Sequence, residues 1–393
     1  MLNDVPVDLL CGKVLPYLDR RGWNAFTLSC KEIHEASKNH LPPWPGQVKL
    51  GGEISEMRDP TWSHCGTKVA CNDCFKIHIF DQRHGRLANT GWVSHSSKYV
   101  SCLAFSQNGK ILLSAGDDMY VRLWNVASDR YELLQEWDVK LENSPDSPYI
   151  RGLVLSPCGQ YVGILQDGGV LIKNLEDGST IHSLLDLLPF RCTSNLLFSH
   201  DGHTLIFGGS EAEQGGDEEE VIKLWQPTTG DVISIKAGNG NEGITYSCLQ
   251  NLALSHDGTM LASTCQFKMD VKLWTINRVT GGLDIKSVFT PNDGLVSSAC
   301  FTPDDQYLVV GAGSEDAVDD AGVRFWRIAD GECTKALITN GCVSALSYSP
   351  DGKRLLVRDL WWSYIKSIDP EQEDIEDEAD DGEQDDRSED LAD

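Results

Sequence analysis

The sequence contains no run of about 18 consecutive apolar residues, the length a helix needs to cross a bilayer. Its start, Met1-Leu2-Asn3-Asp4-Val5-Pro6, has neither the basic region nor the long apolar core of a secretion signal. Basic residues are scarce: 33 Lys and Arg stand against 60 Asp and Glu, a net charge of −27. Such a surface repels the phosphate backbone and anionic headgroups, so no nucleic acid and no membrane is expected as a partner. A Gly-rich phosphate loop, a nucleophile elbow and a paired zinc motif are also missing. No catalytic residue, cofactor or metal is therefore expected, and the chain reads as a non-enzyme. The 13 cysteines form no tight framework, which points to reduced thiols in the cytosol or nucleus.

The acidity is concentrated. Residues 371–393 hold 14 Asp or Glu and a single Arg, with almost nothing apolar to bury, so residues 370–393 are expected to be a disordered tail. Its plain role is solubility; the sharper one is binding a basic protein.

What is present is a repeat. Ser or Thr, two variable residues and usually Gly recur seven times, starting at Ser63, Ser106, Ser156, Ser199, Ser255, Thr302 and Ser349, at intervals of 43, 50, 43, 56, 47 and 47 residues. An apolar, strand-like run precedes each turn, as in Val100 to Phe105. A second strand follows it, and a third ends in an aromatic, as in Val121-Arg122-Leu123-Trp124. Short strands with a period in the forties predict propeller blades.

Over residues 47–369 the chain resembles the WD-repeat family. Trp124, Trp225, Trp274 and Trp326 stand at the family's repeat-ending tryptophan, with Phe80 there in the first copy. The Asp of the name-giving dipeptide survives only as Asp81. The second copy keeps the family's structural set of His95, Ser114, Asp118 and Trp124, in which imidazole, hydroxyl and indole satisfy a buried carboxylate and one another. The last copy has three strands, and Gln47 to Leu50 can supply the fourth, joining the chain ends and removing free sheet edges. The resemblance implies an all-β, seven-bladed WD-type propeller over residues 46–369.

Residues 1–45 follow another period. Val7, Leu10, Val14 and Leu18 share one helical face, and Trp23, Phe26, Cys30 and Ile33 share that of a second helix. Val5-Pro6-Val7-Asp8-Leu9-Leu10, Val14-Leu15-Pro16-Tyr17-Leu18 and Leu28 to His34 resemble an F-box. That implies a small α-helical head on which Val5, Pro6, Leu9, Leu10, Leu15 and Leu18 dock a Skp-type cullin adaptor. The propeller face would then bind an unknown protein substrate, making the chain a receptor subunit of a ubiquitin ligase. The other reading is a scaffold or acidic chaperone for basic proteins, its head a cap on the propeller rim.

Two acidic insertions, Glu211 to Glu220 and Ser314 to Asp320, interrupt second-to-third-strand turns and would add charge to one rim. Arg58, Arg151 and Arg191 lie near the starts of innermost strands and are candidate contacts for a phosphorylated substrate. Cys71 and Cys74, with His64 and His78 nearby, make a lone Cys-x-x-Cys, short of the four converging ligands zinc requires.

Overall fold

A computed structural model describes residues 47–50 and 58–367, apart from 74–75, 84–85, 96–98, 129, 142–148, 186, 188–190, 213–217, 238–248, 266–268, 278–281, 292–294, 314–321, 340–341, 351, 353 and 360–362. These residues form strands and turns only, so none of them belongs to a helix long and apolar enough to cross a membrane. The expected count of seven blades is corrected, while the all-β propeller stands. Six blades are built from four consecutive strands each, over residues 58–94, 100–138, 150–185, 191–236, 249–289 and 295–338, here blades 1 to 6. The remaining sheet is composite. Its strands Val343–Tyr348, Arg354–Asp359 and Ser363–Ser367 come from one end of the chain, and Gln47–Leu50 from the other. Gln47 pairs with Lys366 and Leu50 with Ser363, antiparallel, so this closing sheet covers an edge the chain could not otherwise pair. The head, residues 1–45, and the acidic tail lie outside the described residues.

Each sheet runs outward from the axis as an antiparallel meander. Innermost strands pack on those either side, and Arg58–Trp62 touches both Val100–Phe105 and Val343–Tyr348, closing the ring. Second strands are covered by blades on both faces. Met260–Cys265 and Tyr307–Gly313 are therefore buried at every position, and read as continuous apolar runs. Outermost strands show one face to water, and Val232–Lys236 alternates exposed and half-buried residues.

The repeated turn has a physical explanation. Its Ser or Thr hydroxyl accepts the backbone N–H five residues on in every copy: Lys68, Ile111, Tyr161, Thr204, Met260, Tyr307 and Arg354, at 2.9 to 3.0 Å. Glycine is needed for backbone and for space. Gly258 has φ +66°, and a Cβ there would meet His200 of blade 4 at 2.8 Å; Gly352, at φ +69°, would meet Pro303 of blade 6 at 2.9 Å. The turns thus lie against one another around one face, the lower face. The opposite, upper face carries the second-to-third-strand turns and the starts of the innermost strands.

Candidate binding face

Blade 2 shows how the upper face is built. His95 Nδ1 lies 2.7 Å from Ser114 Oγ, and its Nε2 lies 3.3 Å from Asp118 Oδ1. The Trp124 indole donates to the same hydroxyl at 2.8 Å. These roles agree when Nε2 carries the hydrogen: it donates to the carboxylate, while Ser114 donates to Nδ1 and accepts from Trp124. Burial disfavours ionised Asp118, but hydrogen bonds from His95 and Arg122 win and hold its carboxyl well below the usual range. Ser114 is fully buried and His95 nearly so, with no substrate path to the hydroxyl, so this Ser/His/Asp set ties a blade together.

Other blades keep parts of the set. Trp274 donates to Ser263 at 2.9 Å in blade 5. In blade 6 the position of Ser114 is held by Val310, and the buried Trp326 indole nitrogen has no hydrogen-bond partner.

The innermost strands expose backbone edges along the axis, and polar side chains bridge some of them. Asn195 of blade 4 both donates to the Leu252 carbonyl and accepts the Leu252 N–H of blade 5, at 2.9 and 2.8 Å. Asn251 accepts the Ala299 N–H of blade 6 at 3.2 Å, and Ser298 accepts the Leu346 N–H of the closing sheet at 3.1 Å. The Trp62 indole donates to the Ser347 carbonyl at 3.3 Å, across the seam. A cavity of about 600 Å³ lies along this axis, lined by blades 1 to 4 and by Ser347 of the closing sheet.

Of the candidate arginines, Arg58 pairs with Asn72 and Arg191 with Ser210, while Arg151 stands at the bulge between Ile150 and Gly152. Arg151 meets Asp167 of its own blade at 3.1 Å and lies over the Tyr149 ring, so its charge is engaged within the blade. Blade 4's acidic insertion is largely strand. Glu211 pairs with Glu219 and Ala212 with Glu218, so only residues 213–217 fall outside the described chain there. Like charges facing across a ladder repel. Here Lys223 lies 3.3 Å from Glu211, and Lys236 lies 2.5 Å from Glu219. The second insertion, residues 314–320, lies outside the described residues, as do Cys74 and the adaptor-docking residues Val5, Pro6, Leu9, Leu10, Leu15 and Leu18. Cys71 and His78 are buried cross-strand partners, and among the described residues no three His, Cys, Asp or Glu gather as metal ligands.

Sequence reasoning missed two tyrosines. Tyr99 and Tyr149 precede the innermost strands of blades 2 and 3, and are 49% and 43% exposed on the upper face. The available signal was a tyrosine directly before the apolar run in two successive copies.

Comparison with known proteins decides the repeat class. The family described as WD domain, G-beta repeat matches residues 87–125 and 284–327, about a fifth of the chain. The chain carries WD repeats. Both matched segments begin in one blade's outermost strand and end at the third strand of the next, so each WD repeat straddles two blades and interlocks them. A solved β-propeller domain, Cps50 (Swd1) of Myceliophteria thermophila, superposes with a TM-score of 0.65 at 14% identity, covering 82% of this chain and 100% of that one. Apoptotic protease-activating factor 1 is 22% identical in Rattus norvegicus, over 70% of this chain and 20% of that protein. The Homo sapiens protein is 24% identical, over 68% and 26%. The small ribosomal subunit protein RACK1 of Candida albicans is 24% identical over 36% of this chain and 41% of its own length. This WD-repeat chain thus spans about a fifth to a quarter of the apoptotic relatives.

Proposed function

We propose that this WD-repeat chain is a scaffold that holds a protein partner on the upper face of its propeller and recruits a Skp-type cullin adaptor through residues 5–18, as a ubiquitin-ligase substrate receptor does. The observation that carries the first half is the pair of exposed rings, Tyr99 and Tyr149, beside the axial mouth of a closed ring. Large exposed aromatics on a rigid frame supply contact area at little entropic cost. Nothing in the described blades assembles a nucleophile with an accessible substrate path. The second half rests on the F-box-like sequence alone. The acidic composition favours a basic partner through charge complementarity, which is the form the alternative scaffold reading takes.

The test is a pull-down of the full chain with purified Skp-type adaptor, comparing wild type with a Leu10→Glu, Leu18→Glu double variant whose propeller melts normally. A complex formed by wild type and lost in the variant supports the receptor role. A folded wild type that fails to bind adaptor removes that role and leaves the scaffold for basic proteins.

A further inference from the structure

The outermost strand of each blade is a sheet edge, and an open edge offers a row of main-chain N–H and C=O groups to another chain. Charged residues along the strand are a common protection against such pairing. Lys49 of the closing sheet, Arg86 of blade 1, Glu136 of blade 2, Lys236 of blade 4, Lys286 of blade 5 and Lys335 of blade 6 lie on their outermost strands. Thr180–Leu185, the outermost strand of blade 3, has no Asp, Glu, Lys or Arg.

This strand is the last of its sheet. Leu184 packs on the core shared with blade 4, whereas Ile181 and Leu185 are 42% and 48% exposed, and Thr180 and Ser183 are exposed as well. Past a bulge at its start, His182 to Leu185 run in unbroken register with Ile172 to Gly169, so the edge is regular there. The start of the strand is held in place. Lys173 directs its ammonium to the Gly178 carbonyl and the Thr180 hydroxyl, at 3.0 and 3.1 Å. Asp177 accepts the N–H and the hydroxyl of Ser179 at 2.9 and 2.7 Å, and Gln135 of blade 2 donates to the Glu176 carbonyl at 2.7 Å. The turn fixed in this way presents two exposed carboxylates, Glu176 and Asp177, beside an uncharged edge.

We infer that the outer edge of blade 3 takes up an extended segment of a protein partner as a fifth, antiparallel strand, with apolar residues at alternate positions and basic residues at its C-terminal end. Main-chain hydrogen bonds along Thr180–Leu185 hold the segment, and the exposed Ile181 and Leu185 receive its apolar side chains. Antiparallel addition brings its C-terminal end to Glu176 and Asp177, where charge complementarity calls for Lys or Arg. A second copy of this chain is disfavoured, because each copy carries a net charge of −27. Occupation of this rim requires neither the upper-face partner nor the adaptor.

The experiment follows backbone hydrogen exchange of the full chain by mass spectrometry, alone and with the peptide acetyl-Thr-Val-Thr-Val-Thr-Lys-Lys-amide. Exchange within residues 180–185 should slow at least fivefold, with no change in residues 132–138, the charged outermost strand of blade 2. A peptide ending in Glu-Glu, and one N-methylated throughout its Thr-Val-Thr-Val-Thr stretch, should each protect at least fivefold less at equal concentration. Glu176→Gln combined with Asp177→Asn should make the Lys-Lys and Glu-Glu peptides equal. Ser183→Lys, a change at an exposed position, should lower protection by the Lys-Lys peptide at least fivefold. No slowing at 180–185, equal slowing at 132–138, or undiminished protection by the N-methylated peptide overturns the inference. Slow exchange throughout 180–185 in the chain alone overturns it too, because the edge would then already be covered. The receptor reading fails separately, in the adaptor pull-down, which the blade 3 variants should leave unchanged.

Discussion

Asp305 of blade 6 reaches across the lower face to the turn of blade 5, where its carboxylate accepts the backbone N–H of His256 at 2.8 Å and lies 3.0 Å from His256 Nδ1. The Asp257 N–H adds a third bond at 2.8 Å. Asp305 stands where the other six turns have glycine and keeps the left-handed backbone, at φ +55°. The residue accepts that conformation because its side chain secures the neighbouring turn.

Replacing Asp305 separates the two effects. Asp305→Ala keeps the unfavourable φ and removes all three acceptor contacts, and should cost about 1–3 kcal/mol. Asp305→Gly relieves the backbone and should cost less. Chemical denaturation of both variants checks this; equal losses would show that backbone strain is negligible here.

Ser114 anchors two buried donor and acceptor groups. Ser114→Val should leave the Trp124 indole and His95 Nδ1 without their partner, costing about 1–3 kcal/mol. Trp124→Ala, which also empties space between blades 1 and 2, should cost about 3–5 kcal/mol. Unfolding midpoints measure both. In blade 6, Val310 already stands where Ser114 does, so Val310→Ala should lose only packing, with no polar penalty.

Asp118 makes stability depend on acid. Its folded pKa is depressed, so its contribution is fully present above the unfolded carboxyl pKa of about 3.9 and is lost as pH falls below that value. Asp118→Asn should lower stability at pH 7 and flatten its decline between about pH 4 and pH 2. Denaturant melts across that range test the slope; parallel curves for wild type and variant would refute the assignment.

Two cysteines should differ sharply in reactivity. Burial alone raises the Cys65 thiol, but hydrogen bonds with Ser63 and Thr67 outweigh it, and the side chain is exposed. Burial pushes Cys300 up to about 12. Iodoacetamide at pH 7.5 should label Cys65 in the native chain and spare Cys300 until unfolding, as read by peptide mass mapping.

Much of this was legible in the chain. The turn signal recurs because a hydroxyl, a left-handed residue and a short link are local requirements, met within six residues. Strand polarity followed equally from sequence: strands covered on both faces must be apolar throughout, and outer ones must alternate. His95, Ser114, Asp118 and Trp124 could be grouped because one repeat holds them all.

Contacts between repeats could not be read this way. The place of the strand Gln47–Leu50 beside Ser363–Ser367 was open to inference from counting strands, but which arginines gather was not. Arg58, Arg151 and Arg191 look alike in the chain, and only the fold brings Asp167 to Arg151. The acidic insertion of blade 4 looked like a loop because charge is read as solvation. Pairing of Glu211 with Glu219 beside Lys223 and Lys236 made much of it strand.

The sequence by itself determined the repeat, the strand order within each blade and the buried faces, because these depend on residues a few positions apart. Only the tertiary structure decided which side chains meet across blades. Ring closure fixes that, setting Asn195 of blade 4 against Leu252 of blade 5, and Asp305 of blade 6 against the turn of blade 5.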